Sequence, residues 1–100
     1  MAIILQQVFP VAVTTELLDA VTDEMGVDTD MPAGGIIHTH FEQDGRVHIV
    51  DVWESAEAYQ EFAESRLQPA LGRVAAARGI DLSQAGEPET SITEIHRLVH

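Results

Sequence analysis

Residues 35–55 read GIIHTHFEQDGRVHIVDVWES, a β-hairpin that runs straight into a helix. Two runs of apolar and β-branched residues flank Asp44-Gly45, a dipeptide that tolerates the positive φ a tight hairpin turn needs. With these two at the centre of the turn, Gln43 faces Arg46, and the pairing propagates outward. His38 is then opposite Asp51, His40 opposite Ile49, and Ile36 opposite Trp53. Because side chains alternate between faces, Ile36, His38, His40, Ile49, Asp51 and Trp53 share one side of the sheet. A three-residue turn with a bulge would instead set His38 against Val50 and His40 against His48. The first register gathers the apolar residues on one face and is the one adopted.

Working outward, residues 2–9 (AIILQQVF) form a first strand that Pro10 ends, since proline cannot continue the ladder. Thr14 or Thr15 caps a helix carrying Leu17, Leu18, Val21 and Met25 at helical spacing, which stops at Gly26. A turn-rich loop over 27–35 leads back to the hairpin. Ser55 caps the next helix, whose stripe of Tyr59, Phe62, Ala63, Leu67, Leu71 and Val74 faces the core. Pro69 inside that stripe predicts a break or kink near Leu67–Gln68 and a second helical piece to Arg78, ended by Gly79. The loop over 79–90 precedes a final strand from Ser91 to Val99.

The order β-α-β-β-α-β is the ferredoxin-like split βαβ arrangement, an α+β fold with four antiparallel strands and helices on one face. One hundred residues are read as a single domain, 1–100. The hairpin is apolar on both faces, with Ile37, Phe41, Val50 and Val52 on the side the helices cannot cover. A second copy of the chain is the expected cover, and two sheets packed face to face close a dimeric α+β barrel.

Seventeen acidic residues stand against five basic ones, all Arg, for a net charge of −12. That balance argues against nucleic acid, anionic membrane surfaces and highly anionic substrates. With no cysteine, disulfides, thiolate catalysis and Cys-ligated metals are excluded, and with no lysine so is Schiff-base chemistry. No apolar run approaches membrane-spanning length, and the start lacks the features of a signal peptide, so a cytoplasmic protein is expected. Gly34-Gly35 lacks the Walker spacing, and no G-x-S-x-G element is present.

The segment DVWES (51–55), followed by AYQEF (58–62) and RLQPAL (66–71) on a chain of this length, resembles the antibiotic biosynthesis monooxygenase-like family of dimeric α+β barrels. The resemblance spans nearly the whole chain and is strongest over residues 35–71. It implies the barrel fold and a pocket between sheet and helices lined by Trp53, His38 and Asp51. Some members oxygenate aromatic polyketides without metal or flavin; others cyclise or isomerise metabolites or degrade haem. The oxygenases and haem degraders typically use an Asn, and haem degraders a helix-borne His. This chain has no Asn, and no His between 56 and 79.

His38 and Asp51 suit a proton-transfer dyad, the carboxylate orienting the imidazole and the imidazole acting as acid or base near neutral pH. The structural alternative is a buried His that satisfies a buried Asp. Trp53 is a pocket wall or core filling, His40 a substrate anchor or a strand histidine near the hairpin tip. Tyr59 carries a hydroxyl that wants a partner if buried. One of Gln6 and Gln7 points inward, where it can bond a substrate carbonyl; Gln6 is taken as that residue. Arg66 anchors an enolate or carboxylate, or pairs with Glu61 or Glu64. His48 and His96 read as structural or interfacial, and His100 as uninformative. His38, His40 and Asp51 have the composition of a two-His, one-carboxylate metal site, but neither metal nor organic cofactor is expected.

The function expected is therefore a small cofactor-independent enzyme of secondary metabolism, a monooxygenase or a cyclase, working on a hydrophobic polyketide-like or polycyclic substrate. The alternative is a non-catalytic ligand-binding or accessory protein with a structural His–Asp pair.

Overall fold

A computed structural model of the chain describes residues 1–99; His100 lies outside the described residues. The elements are β1 (Ile3–Val8), α1 (Thr15–Met25), β2 (Gly35–Gln43), β3 (Arg46–Trp53), α2 (Ala56–Phe62), α3 (Gln68–Arg78), α4 (Leu82–Ala85) and β4 (Glu89–Glu94). The strands form one antiparallel sheet in the order β2-β3-β1-β4, the ferredoxin-like topology.

The hairpin sets the register. Asp44 (φ 55°) and Gly45 (φ 76°) both lie in the left-handed region that a two-residue turn of this kind demands. Gln43 therefore pairs with Arg46, His40 with Ile49 and His38 with Asp51, as the dipeptide predicts. The expected Ile36–Trp53 pair does not form. A bulge falls between Gly35 and Ile37, and Gly35 takes the place opposite Trp53. The reason lies in the preceding loop: the Gly35 amide donates to Pro32 O (3.0 Å) and the Glu54 amide to Gly34 O (2.8 Å), which fixes this end of the strand one residue early. A β-carbon on Gly35 would come within 3.0 Å of Met31 Cε and 3.2 Å of Pro32 O, so the close approach depends on glycine.

Thr14 caps α1, its side chain accepting from the Leu17 amide, and Gly26 closes it in the left-handed conformation (φ 68°). Ser55 caps α2 in the same way through the Ala58 amide. The irregularity expected near Leu67–Gln68 takes the form of a widened turn and not of a break. A π-helical turn, Ala63–Leu67, joins α2 to α3, and the Gln68 amide reaches Ala63 O five residues back. Proline at 69 lacks an N–H and crowds the carbonyl four residues earlier; a widened turn relieves both without ending the rod. The last strand runs over Glu89–Glu94, not Ser91–Val99, and the loop before it holds the short α4, capped by Asp81.

Two apolar clusters hold the layers together. Leu17 and Val21 of α1 meet Ala70 and Val74 of α3. Ile3, Leu5 and Trp53 of the sheet meet Ala58, Tyr59 and Phe62 of α2. The opposite face of the sheet carries Ile4, Val8, Ile37, Phe41, Val50 and Val52; Ile37 and Phe41 remain 42% and 40% exposed.

Candidate active site

Where α1 and α2 diverge over the sheet, a cleft opens between the layers. It is lined by Leu5 and Gln7 of β1, Leu18, Val21 and Met25 of α1, His38 and His40 of β2, Ile49, Asp51 and Trp53 of β3, and Tyr59 and Phe62 of α2. The cavity volume is about 50 Å³. The cleft is thus a narrow slot, walled by hydrocarbon with a few polar groups converging on one end.

Asp51 is the anchor of that polar end and is 4% exposed. Its Oδ1 accepts from the Thr39 amide (3.2 Å) and contacts His38 Nδ1 at 2.8 Å; its Oδ2 accepts from Trp53 Nε1 at 3.3 Å. Two N–H donors and the His38 ring nitrogen converge on this one carboxylate, and no Arg lines the cleft among the described residues. The register puts His38 directly across from Asp51, so the dyad follows from the hairpin turn. His38 Nε2 in turn meets His40 Nδ1 at 3.1 Å, and His40 Nε2 meets Asp19 Oδ1 of α1 at 2.7 Å.

Trp53 is 2% exposed and packs edge-on to Tyr59 (ring centroids 5.6 Å apart) and against Phe62 (5.1 Å). Burial pushes the Tyr59 phenol above its ordinary value, the Asp51 charge pushes it further the same way, and a hydrogen bond with Gln7 opposes them. Burial and the Asp51 charge thus both favour the neutral phenol.

His38, His40, Asp51, Trp53 and Tyr59 come together in the cleft; Gln6 and Arg66 do not. Gln6 is exposed on the opposite face of the sheet, 3.5 Å from Ser91 Oγ. Inward parity belongs to Ile3, Leu5 and Gln7, and Gln7, 9% exposed, is the residue on the cleft wall, where it donates to Thr90 Oγ1. Arg66 pairs with neither Glu61 nor Glu64. Its guanidinium donates to Met25 O (2.7 Å) and Asp30 O (3.0 Å), tying the end of α1 to the long helix. His48 stacks on Phe41 on the open face. Asp19 was invisible to sequence reading, an acidic residue on an exposed helix position like its neighbours Glu16 and Asp23. Among the described residues, no group of three or more His, Cys, Asp or Glu is disposed to hold a metal ion. No helix there is long and apolar enough to cross a membrane.

No protein-family model and no curated protein sequence matches the chain. Solved structures do. SnoaB from Streptomyces nogalater, a cofactor-independent oxygenase, aligns over 98% of this chain and 96% of its own at 17% identity and a TM-score of 0.62. Rv0793 from Mycobacterium tuberculosis aligns over the full length of both chains at 15% identity and a TM-score of 0.68. A candidate antibiotic biosynthesis monooxygenase from Caulobacter crescentus covers 96% of this chain and 91% of its own, with 14% identity and a TM-score of 0.67. At these identities the likeness is one of fold: the chain has the α+β fold of antibiotic biosynthesis monooxygenase-like proteins.

Proposed function

We propose that this protein is a small enzyme of secondary metabolism that works without organic cofactor or metal on a hydrophobic, polyketide-like or polycyclic molecule. The observation that carries this reading is the 2.8 Å contact between His38 and a buried Asp51 at the polar end of an apolar slot. His38, held by Asp51, takes a proton from an acidic C–H or O–H of the substrate, and the bonding electron pair stays behind as an enolate or phenolate. Trp53 and Phe62 supply flat apolar walls for a ring, and Tyr59 offers a neutral hydroxyl to the developing oxyanion. The electron-rich product of that step reacts directly with dioxygen in an oxygenase or closes a ring in a cyclase. A net charge of −12, with two carboxylates at the site and no arginine facing it, favours a neutral substrate over an anionic one.

Incubation with aromatic polyketide substrates under air and under nitrogen tests the reading. An oxygenated product that requires air identifies the oxygenase, and a ring-closed product under both gases the cyclase. Turnover unchanged in His38→Ala would sink the proton-transfer role.

The working form is taken to be a homodimer, with a second copy covering Ile4, Ile37, Phe41, Val50 and Val52. The narrowness of the slot favours a second reading, a ligand-binding or accessory protein whose His–Asp pair is structural. Tight binding of a polycyclic ligand, followed by quenching of Trp53 fluorescence, with no chemical change under either gas, would select it.

A further inference from the structure

The His38–Asp51 dyad has a counterpart. His40 Nε2 lies 2.7 Å from Asp19 Oδ1, and the two imidazoles meet through His38 Nε2 and His40 Nδ1 at 3.1 Å. Three contacts thus link carboxylate, imidazole, imidazole and carboxylate in a row, and each needs one proton. Ionised carboxylates bring none, and two neutral imidazoles bring only two. One contact must therefore go without.

The distances indicate which. An N–H bonds a carboxylate more strongly than a neutral ring nitrogen, so the two protons belong on His38 Nδ1 and His40 Nε2, where the contacts are 2.8 and 2.7 Å. The bare nitrogens then face each other across the longest of the three gaps. Both rings line the cleft. The groups facing them are Asp51 from β3, Asp19 from α1 and the Tyr59 hydroxyl from α2, with the neutral Gln7 from β1, so the charges that surround the gap are negative.

We propose that the proton acceptor is the pair and not His38 alone: His38 and His40, each held by its own carboxylate, take the substrate's proton between His38 Nε2 and His40 Nδ1. This rests on the reading of the site as a proton-abstracting enzyme. The substrate's X–H bond breaks, its electron pair remains on the substrate, and the pair of rings goes from neutral to a single positive charge balanced by Asp51 and Asp19. Asp19 is a positioning residue. It touches no substrate atom but holds His40 in the tautomer that leaves Nδ1 bare. The Asp19 side chain is 65% exposed, so this end of the row lies at the surface.

The test is nuclear magnetic resonance of the free protein with 15N-labelled histidine, following the ring nitrogens against pH. In the wild type, His38 Nδ1 and His40 Nε2 keep their protons throughout. The two inner nitrogens change together, in one step of one proton, with a nitrogen–nitrogen coupling across the shared hydrogen. Asp19→Ala splits that joint step into two separate ones, and Asp19→Glu restores it. Separate steps for the two rings in the wild type, or a bare His40 Nε2 at the high-pH end, would overturn the proposal; the wild-type spectrum decides even if a variant fails to fold. Because no substrate is used, the outcomes separate. Independent rings combined with turnover lost in His38→Ala leave His38 as sole base, whereas a shared proton without turnover of any substrate overturns the enzymatic reading alone.

Discussion

Asp51 does two jobs at once: it orients His38 and it satisfies the indole of Trp53, which is buried beside it. Asp51→Asn puts an amide where three donors converge, so one N–H must face another. We expect turnover to fall by about a hundredfold or more, with the fold retained in circular dichroism. Trp53→Ala empties the junction of sheet and α2 and should cost about 3–5 kcal/mol in urea unfolding. Tyr59 gives the pH dependence. Its folded-state pKa is raised above the 10.0 of a free phenol, so the neutral phenol is favoured in the folded chain. That contribution is fully present below pH 10 and is lost as the pH rises through the folded value. Tyr59→Phe should accordingly flatten the alkaline limb of a stability-against-pH curve measured by chemical denaturation, and leave the neutral range without this phenol's pH dependence.

Elements were legible in the sequence where one local rule dominated. Asp44-Gly45 fixed the turn and with it the His38–Asp51 pair, because both residues take the positive φ that this two-residue turn demands. Thr14, Ser55, Gly26 and Gly79 marked helix ends through caps that depend on near neighbours alone. What sequence reading missed depended on contacts between distant segments. The bulge at Ile36 arises from the 32–35 loop bonding to Glu54; the π turn arises because the rod stays packed on α1 through Ala70 and Val74 instead of breaking at Pro69. Gln7 rather than Gln6 faces inward because β1 pairs Leu5 with Asp51, a register that no pattern within β1 encodes. Asp19 reaches His40 only because α1 lies across the sheet. The loop side of this argument has its own test. Gly34 has φ +83°, and a β-carbon there would lie 2.6 Å from Ala58 Cβ, so Gly34→Ala strains the loop and pushes on α2 together. A loss of about 1–3 kcal/mol in thermal unfolding is expected.

At the scale of the molecule, one face of the sheet is covered by helices and the other presents Ile4, Val8, Ile37, Phe41, Val50 and Val52 without cover in the single chain. An apolar face of that extent is costly in water, and the proposed dimer removes it. Light scattering at micromolar concentration should return twice the 10.9 kDa chain mass, and Phe41→Asp should return the chain mass itself. A wild-type monomer would leave the apolar face unexplained. The slot lies against the inner face, so the proposed interface and the site would share β2 and β3, with Ile37, Phe41, Val50 and Val52 on one face and the His38–Asp51 pair on the other. The measurement that bears most directly on the site is deuterium wash-in from heavy water at the acidic carbon of a polycyclic ketone under nitrogen, which reads proton abstraction apart from any reaction with oxygen or ring closure. Exchange accelerated by the wild-type protein and reduced by about a hundredfold or more in His38→Ala is the predicted result. Exchange that the protein accelerates equally with and without the His38 imidazole would contradict the assignment of this cleft as a site of proton transfer.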